Sequence, residues 1–531
     1  MFEYTHLIKD LSLDHLSQSI TLCGFVSNIR DLGSLVFIDL RDDSGFLQIT
    51  LSKDIYKTVT LESVIKVTGI LQKKEESNTH KENNHLEIHA SEYTILSLAQ
   101  TLPFLPSKDA NEDLKGKYRY LDLRSKQDIL QFRSDINFSI RTFFHQEGFT
   151  DIETPILSKS TPEGARDYLV PSRIYPGSFY ALPQSPQTFK QLLILSGTSK
   201  YFQICKCFRD EDLRSDRQPE FTQVDFEIAY PKLEFFKDFS QRLFSYLLND
   251  KISIEELSFQ DAEKFYGSDK PDLRFDLRLE DPLETTFPEI SSSFRMLYTD
   301  KLLPRSTIEK FCQKNIFWFK KDTTVSGGIS KFLKEEPKKD GIYFFGLPKQ
   351  LGELRLQLGK EFYTPKEGLF FLWIKDFPLF EESSSGLTST HHPFTRVQRS
   401  QLQDFLEGKN LLNLKADAYD LVCNGFELGG GSLRIHNPEE QLRMFELLGL
   451  SSSSIEKQFG FFLEALQYGV PPHGGMALGL DRIIMILKDL SSIKDVIAFP
   501  KTNKAYDLMN QSPSEVSFEQ LKDLHLSIDR K

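Results

Sequence analysis

Three segments of the chain hold charged and amide side chains in spacings that could do chemistry. From Tyr201 to Arg209 the residues alternate, placing Gln203, Cys205, Cys207 and Arg209 on one face. A polar loop, Asp210 to Pro219, follows, and Phe221 to Glu227 returns with Gln223, Asp225 and Glu227 on a single face. A strand, a charged loop and an antiparallel strand would line one side with acids, amides and an arginine. A packed face tolerates such groups only when they are partnered. The plain alternative is a solvated sheet face, but the arginines of the loop favour an anion site. In the second segment, Asn424-Gly425 suits a two-residue hairpin turn. Val422 would then pair with Glu427, with Asp420 diagonal on the same face. Two such carboxylates can hold Mg²⁺ together with substrate phosphates, and the glycines at 429–431 would let a ligand approach the backbone ahead of Arg434. An acidic hairpin with a glycine bulge is the equal alternative. The third segment, Gly474 to Leu487, alternates through Met476, Leu478 and Leu480 and then becomes an apolar helix. This puts Arg482 at a strand-to-helix junction, where a helix N-terminus also favours phosphate.

These segments need a scaffold, and the pattern predicts a multidomain α+β chain. Five strand-like runs lie in the first 98 residues: Thr21–Arg30, Leu35–Arg41, Phe46–Leu51, Ser63–Leu71 and His85–Leu96. They suit an OB-type barrel, a fold often used on oligonucleotides. In it Val36, Ile38 and Leu40 face inward, which turns Phe37 outward beside Arg41. Leu47, Ile49 and Leu51 likewise leave Gln48 outward. An outward aromatic among donors suits an unstacked RNA base, although a singly exposed Phe is common and needs no function. Residues 99–125 read as a linker. Ile129, Phe132, Ile136, Ile140 and Phe143 follow at helical spacing, ending at Gly148. A large α+β region occupies 126–271 and 369–531, interrupted by a lysine-rich insertion at 272–368 that carries none of the chemistry above.

The net charge of −11 argues against indiscriminate polyanion binding. Any RNA would be held by local basic groups and by shape. Five scattered cysteines form neither a disulfide framework nor a zinc pattern; Cys205 and Cys207 have the wrong spacing. The start of the chain lacks a secretory pattern and no stretch suits a membrane span, so a cytoplasmic protein is expected.

Taken together, the three segments resemble motifs 2 and 3 and the intervening metal-binding hairpin of class II aminoacyl-tRNA synthetases, specifically the bacterial-type aspartyl family. The run from Phe208 to Arg214, continued by Arg217 to Gln223, is similar to that family's motif 2 loop. Thr161 to Tyr168 and Ala181 to Gln187 also match, and Gly148-Phe149 to Thr154-Pro155 resembles motif 1, which in this class builds a homodimer interface. The resemblance also takes in the N-terminal barrel and the Phe499-Pro500-Lys501-Thr502 tail.

The resemblance implies an OB-fold anticodon-binding domain and an antiparallel-sheet catalytic domain with an inserted α+β domain. It implies activation of aspartate by ATP with Mg²⁺, transfer to tRNA-Asp, a homodimer, and no DNA or membrane partner. Arg209 would neutralise charge between the amino-acid carboxylate and the α-phosphate. Asp210, Glu211 and Gln218 would hold the nucleotide with Gly479, Leu480 and Asp481, Arg482 would meet the γ-phosphate, and Asp420 and Glu427 would hold Mg²⁺. Arg434 and Lys190 would select the aspartate side chain, a carboxylate where asparagine is neutral. Glu163, Ser185, Gln187, Gln223 and Asp225 would complete the pocket, with His391 and His392 as the family's histidine pair. Arg30, Phe37, Gln48 and Glu87 would read the anticodon. Leu32 stands where relatives that also charge tRNA-Asn tend to have histidine. The insertion is shorter than the family's usual one and matches it poorly through residues 285–320.

Other readings remain in view. An asparaginyl- or lysyl-type synthetase would share the barrel and core, but Lys190, Arg434 and the histidine pair favour aspartate. A non-catalytic RNA-binding relative would be expected to have lost Arg209, Glu427 or Arg482, and a simple single-strand binder would need none of them.

Overall fold

The computed structural model describes the chain except residues 1–2, 75–84, 107, 109, 161–163, 283–292, 313–314, 331–336, 385 and 530–531. It divides into two compact units, Met1–Asp128 and Ile129–Lys531. Among the described residues no helix is long and apolar enough to cross a membrane.

The first unit is built on a closed five-stranded barrel. Its strands are Ser19–Asp31, Leu35–Arg41, Phe46–Ser52, Val64–Lys73 and Leu86–Ser97. The expected alternation holds: Val36, Ile38, Leu40, Leu47, Ile49 and Leu51 are buried in the barrel core. One parallel pairing, Gln48↔Glu87, brings the third and fifth strands side by side. Within the expected linker, the part from Asn111 to Ser125 is helical rather than irregular. Asn111 caps a helix over Glu112–Lys117, and a second short helix, Arg119–Asp122, buries Leu121. Arg124 and Arg41 both reach the buried Glu62, at 2.9 and 2.7 Å. Side chains far apart in sequence thus anchor this segment, which local composition could not reveal.

The second unit contains an eight-stranded sheet. Its central strands, in order, are Ala418–Cys423, Phe426–Leu433, His473–Gly479, Glu220–Ala229 and Lys200–Phe208, all antiparallel neighbours. Two helices, Gln127–Gln146 and Glu234–Leu248, cover one face. Their aromatic residues interlock with the sheet, as where Phe144 stacks on Phe202 at 4.6 Å. Val224, Phe226 and Ile228 point into this core, so the alternation turns Gln223, Asp225 and Glu227 to the opposite face. The same argument applied to Tyr419, Leu421 and Cys423 turns Asp420 that way. The face away from the aromatics is thus mixed, with these polar residues beside a second apolar cluster that includes Leu372, Ile374, Ala418 and Val422.

Between residues 272 and 368 a separate five-stranded antiparallel sheet forms, with helices Arg305–Phe311 and Pro348–Phe362. Leu351, Leu354 and Leu358 bury one face of the longer helix. On the same helix the buried Arg355 donates to the carbonyls of Leu277 (2.5 Å) and Asp272 (2.6 Å).

Candidate active site and nucleic-acid interface

The polar face of the large sheet forms the floor of a cavity of about 790 Å³. Lys190, Asp225 and Arg434 line the floor and meet the buried Glu227, each of the four at most 2% exposed. Lys190 comes from the helix Gln187–Leu195, and its Nζ lies 2.7 Å from Asp225 and 3.5 Å from Glu227. Arg434 follows the strand Phe426–Leu433 and grips Glu227 with two nitrogens, at 2.8 and 3.0 Å. Two cations facing two anions satisfy the rule that buried charges be paired. The two carboxylates nevertheless diverge. Burial pushes Asp225 up, and Lys190 only partly opposes it. Burial also acts on Glu227, but Arg434 and Lys190 outweigh it and hold that carboxyl below its usual range. Asp225 Oδ1 and Gln187 Nε2 are buried without a hydrogen-bond partner among the described residues. An unpaired carboxylate oxygen beside a cation pair is equipped to take a small molecule carrying both an ammonium and an anionic group.

The adjacent histidines have different tasks. His392 Nε2 sits 2.5 Å from Arg434 Nη1. Burial and then the charge of Arg434 push its pKa well down, so it stays neutral. His391 points the other way, with Nε2 at 3.3 Å from Asp420 and its ring edge-on to Phe377 at 4.6 Å.

Asp420 and Glu427 stand on the hairpin. Asn424 and Gly425 take positive φ, 50° and 86°, as the turn requires, and Val422 pairs with Glu427 as expected. A bulge next to Val422 shifts the register, so Asp420 lies opposite Gly430. A side chain at Gly430 would place its Cβ 2.2 Å from Asp420 Oδ1. That glycine makes room for the carboxylate as much as for any ligand. Asp420 is raised by burial and by Glu427. Glu427 is raised by burial but lowered more by Lys270 and Arg482. Among the described residues no cluster of three or more metal-ligating side chains occurs. A two-carboxylate pair lining the cavity nevertheless fits Mg²⁺, which would keep waters and substrate phosphates as its other ligands.

Arg482 is the third residue of the helix Leu480–Leu487. It donates to the Glu427 carbonyl (2.9 Å) and pairs with Asp216 of the charged loop (3.2 Å), so it ties three elements together. Arg209 packs over Phe221 at 5.0 Å, and its Nε has no partner among the described residues. Glu211 pairs with Arg217 at 3.0 Å. Gln218 exchanges two hydrogen bonds with the Lys501 backbone, at 2.7 and 3.1 Å.

Most residues expected in the site line this one cavity: Ser185, Gln187, Lys190, Arg209, Glu211, Gln218, Gln223, Asp225, both histidines, Asp420, Glu427, Arg434, Gly479, Asp481 and Arg482. Two do not. Leu480 is fully buried in the hydrophobic core, and Asp210 is turned toward Arg166, 3.7 Å away. Asp481 reaches the wall, but its carboxylate is taken by Arg133 (2.6 Å) and the Thr222 amide (2.8 Å). Glu163 falls outside the described residues. Sequence reasoning missed the site roles of Glu227 and Lys270. The first shares a strand face with Asp225, a usable signal; the second has no periodic neighbour to mark it.

On the barrel, the four residues expected to face RNA form one connected patch. Arg30 donates to Gln48 (3.0 Å) and Asp39 (3.2 Å), with its guanidinium 5.8 Å from the Phe37 ring centroid. Gln48 donates to Glu87 at 2.7 Å, and Thr50 and His89 also reach that carboxylate. Burial pushes Glu87 up, but these hydrogen bonds outweigh it and hold the carboxyl below its ordinary value. A half-buried ring flanked by oriented donors and an acceptor can stack a base and read its edge.

Comparison with known proteins places the chain in a family. The family model for class II tRNA synthetases (D, K and N) matches residues 111–503, and that for the OB-fold nucleic acid binding domain matches 20–96. The aspartate–tRNA ligase of Shouchella clausii is 43% identical, covering 99% of each chain. The aspartate–tRNA(Asp/Asn) ligase of Bacillus subtilis is 41% identical over 591 aligned positions, covering all of both chains. That alignment is longer than the 531 residues here, so it opens gaps in this chain. Among solved structures, asparaginyl-tRNA synthetase from Pyrococcus horikoshii with asparaginyl-adenylate shares the fold, with a TM-score of 0.65, 18% identity and coverage of 94% of this chain and 99% of that one. The chain belongs to the class II tRNA synthetases of the D, K and N group and, within them, to the aspartate–tRNA ligase family.

Proposed function

We propose that the chain activates L-aspartate with ATP and transfers it to the 3′-terminal adenosine of tRNA-Asp. The observation that carries this reading is the buried Lys190–Asp225–Glu227–Arg434 cluster on the cavity floor. Arg434 and Lys190 would meet the aspartate side-chain carboxylate, and the free Asp225 Oδ1 would accept from the ammonium. Asparagine would leave the same cations poorly compensated.

In the first step a carboxylate oxygen of aspartate attacks the α-phosphorus and pyrophosphate leaves. The residues contribute position and charge neutralisation, without a covalent enzyme intermediate. Arg209, held against Phe221, neutralises the carboxylate and α-phosphate as they approach. Glu211 and Gln218 hold the nucleotide, and Arg482 faces the γ-phosphate. Asp420 and Glu427 would hold Mg²⁺, which when bound would supply charge neutralisation at the phosphates. In the second step the tRNA 3′-hydroxyl attacks the activated carbonyl and AMP leaves. Arg30, Phe37, Gln48 and Glu87 read the anticodon, and Leu32 favours tRNA-Asp alone.

A cytoplasmic homodimer is part of the same reading. Its support is the motif 1 resemblance together with Phe138, Ile156 and Leu157, large apolar side chains left 51–73% exposed in that region.

The test is ATP–pyrophosphate exchange with aspartate and with asparagine, on the wild-type chain and on Arg434→Ala. Aspartate-dependent exchange that collapses in the variant is the expected result. Exchange with neither amino acid, in folded protein supplied with Mg²⁺, refutes the enzyme reading; equal exchange with both refutes the specificity.

A further inference from the structure

Lys270 belongs to none of the three motif segments, yet its Nζ lies 2.7 Å from Glu427 Oε2 inside the cavity. Asp420 also acts on it electrostatically, and Asp269 lies at 3.9 Å. The lysine is delivered by an anchored backbone. Two residues on, Asp272 takes Arg274 on both carboxylate oxygens (3.0 and 2.7 Å), and its carbonyl accepts from the buried Arg355 at 2.6 Å. Asp272 also packs against the hairpin turn, its Cβ 3.1 Å from where a Cβ on Gly425 would stand. The side chain beyond this anchor is freer, about a third exposed at 34%, on a flexible four-carbon stem.

Two neighbouring carboxylates, Asp420 buried and Glu427 29% exposed, repel one another and are steadied by a cation nearby. We propose that Lys270 is the resident counterion of the Asp420–Glu427 pair and competes with the divalent metal for Glu427. This rests on the reading of those carboxylates as metal ligands. With the metal bound, the ammonium must leave Glu427 Oε2, and its stem lets it swing into the cavity where triphosphate oxygens would lie. Lys270 is thus a positioning residue that holds the hairpin together without metal and sets the concentration at which metal enters.

The test uses the full-length chain without nucleotide and Mn²⁺ as the probe, with free Mn²⁺ read by electron paramagnetic resonance. Lys270→Met should bind Mn²⁺ about ten-fold more tightly than wild type, and Lys270→Arg, which keeps the charge, should stay within about three-fold of it. In metal-free buffer Lys270→Met should melt at a lower temperature than wild type, and Mn²⁺ should restore most of the difference. Equal Mn²⁺ affinity in wild type and Lys270→Met overturns the proposal. So does tightening that persists when Glu427→Gln is added, because the metal would then be bound elsewhere. No Mn²⁺ binding by either protein overturns both this proposal and the metal-ligand reading, while wild-type aspartate exchange reports separately on the activity.

Discussion

Replacing Glu227 by glutamine keeps the shape of the cavity floor and removes one charge. The carboxylate has two contacts to Arg434, at 2.8 and 3.0 Å, and lies 3.5 Å from Lys190. Unit charges at about 4 Å attract by roughly 4 kcal/mol at an effective dielectric near 20. Most of that offsets desolvation, but removing one partner of a buried pair costs about 3–5 kcal/mol because the other charge is left uncompensated. Glu227→Gln should therefore destabilise the chain by about 3 kcal/mol at neutral pH. Glu227 has a lowered folded-state pKa, so its contribution is full above the ordinary value of 4.5 and fades as the pH falls through the folded value. The gap between wild type and variant should be widest at neutral pH and shrink below about 4.5, when followed by chemical denaturation across pH. Arg434 would also lose its fixed orientation, so kcat/KM for aspartate should fall about 100-fold, which is roughly 2.7 kcal/mol, with the KM for ATP little changed. A variant within about 0.5 kcal/mol of wild type at pH 7, with an unchanged KM for aspartate, would refute the claim that Glu227 holds the specificity cations.

Gly430→Ala would push a methyl group into Asp420 Oδ1, 2.2 Å away; the expected result is a higher Mg²⁺ requirement for exchange, read by titrating the metal at fixed ATP. Arg209→Lys keeps the charge but loses the planar contact over Phe221 at 5.0 Å and the fork that can meet carboxylate and phosphate together. The rate of aspartyl-adenylate formation in a single turnover should drop by about 100-fold or more. Phe37→Ala removes the stacking surface beside Arg30, and base stacking on an aromatic is worth about 1–3 kcal/mol. Charging at subsaturating tRNA should fall about 10- to 100-fold, measured as aspartyl-tRNA formed against tRNA concentration.

Periodicity made the barrel legible, because a strand with one buried face must alternate. Burial of Val36, Ile38 and Leu40 dictates which way Phe37 points. The pairing next to the hairpin turn, Val422 with Glu427, followed from Asn424-Gly425, while the register beyond Val422 did not. The polar face of Gln223, Asp225 and Glu227 was visible for the same reason. What alternation does not carry is which partner each polar group finds. Asp225 and Glu227 look alike in sequence, yet Arg434, 207 residues from Glu227, holds that carboxyl below its ordinary range while burial leaves Asp225 above its own. His391 and His392 are adjacent and indistinguishable on paper; chain geometry sends one to Asp420 and the other to Arg434. Asp481 stands at a helix start beside Arg482 but pairs with Arg133, 348 residues away. The bulge beside Val422 and the ammonium of Lys270 on Glu427 are likewise tertiary events. Local sequence therefore determined the elements and the faces they present, because backbone sterics and burial act over a few residues. The tertiary structure alone decided the pairing of buried charges, because electrostatic partners are chosen by distance in space and by the dielectric that packing creates.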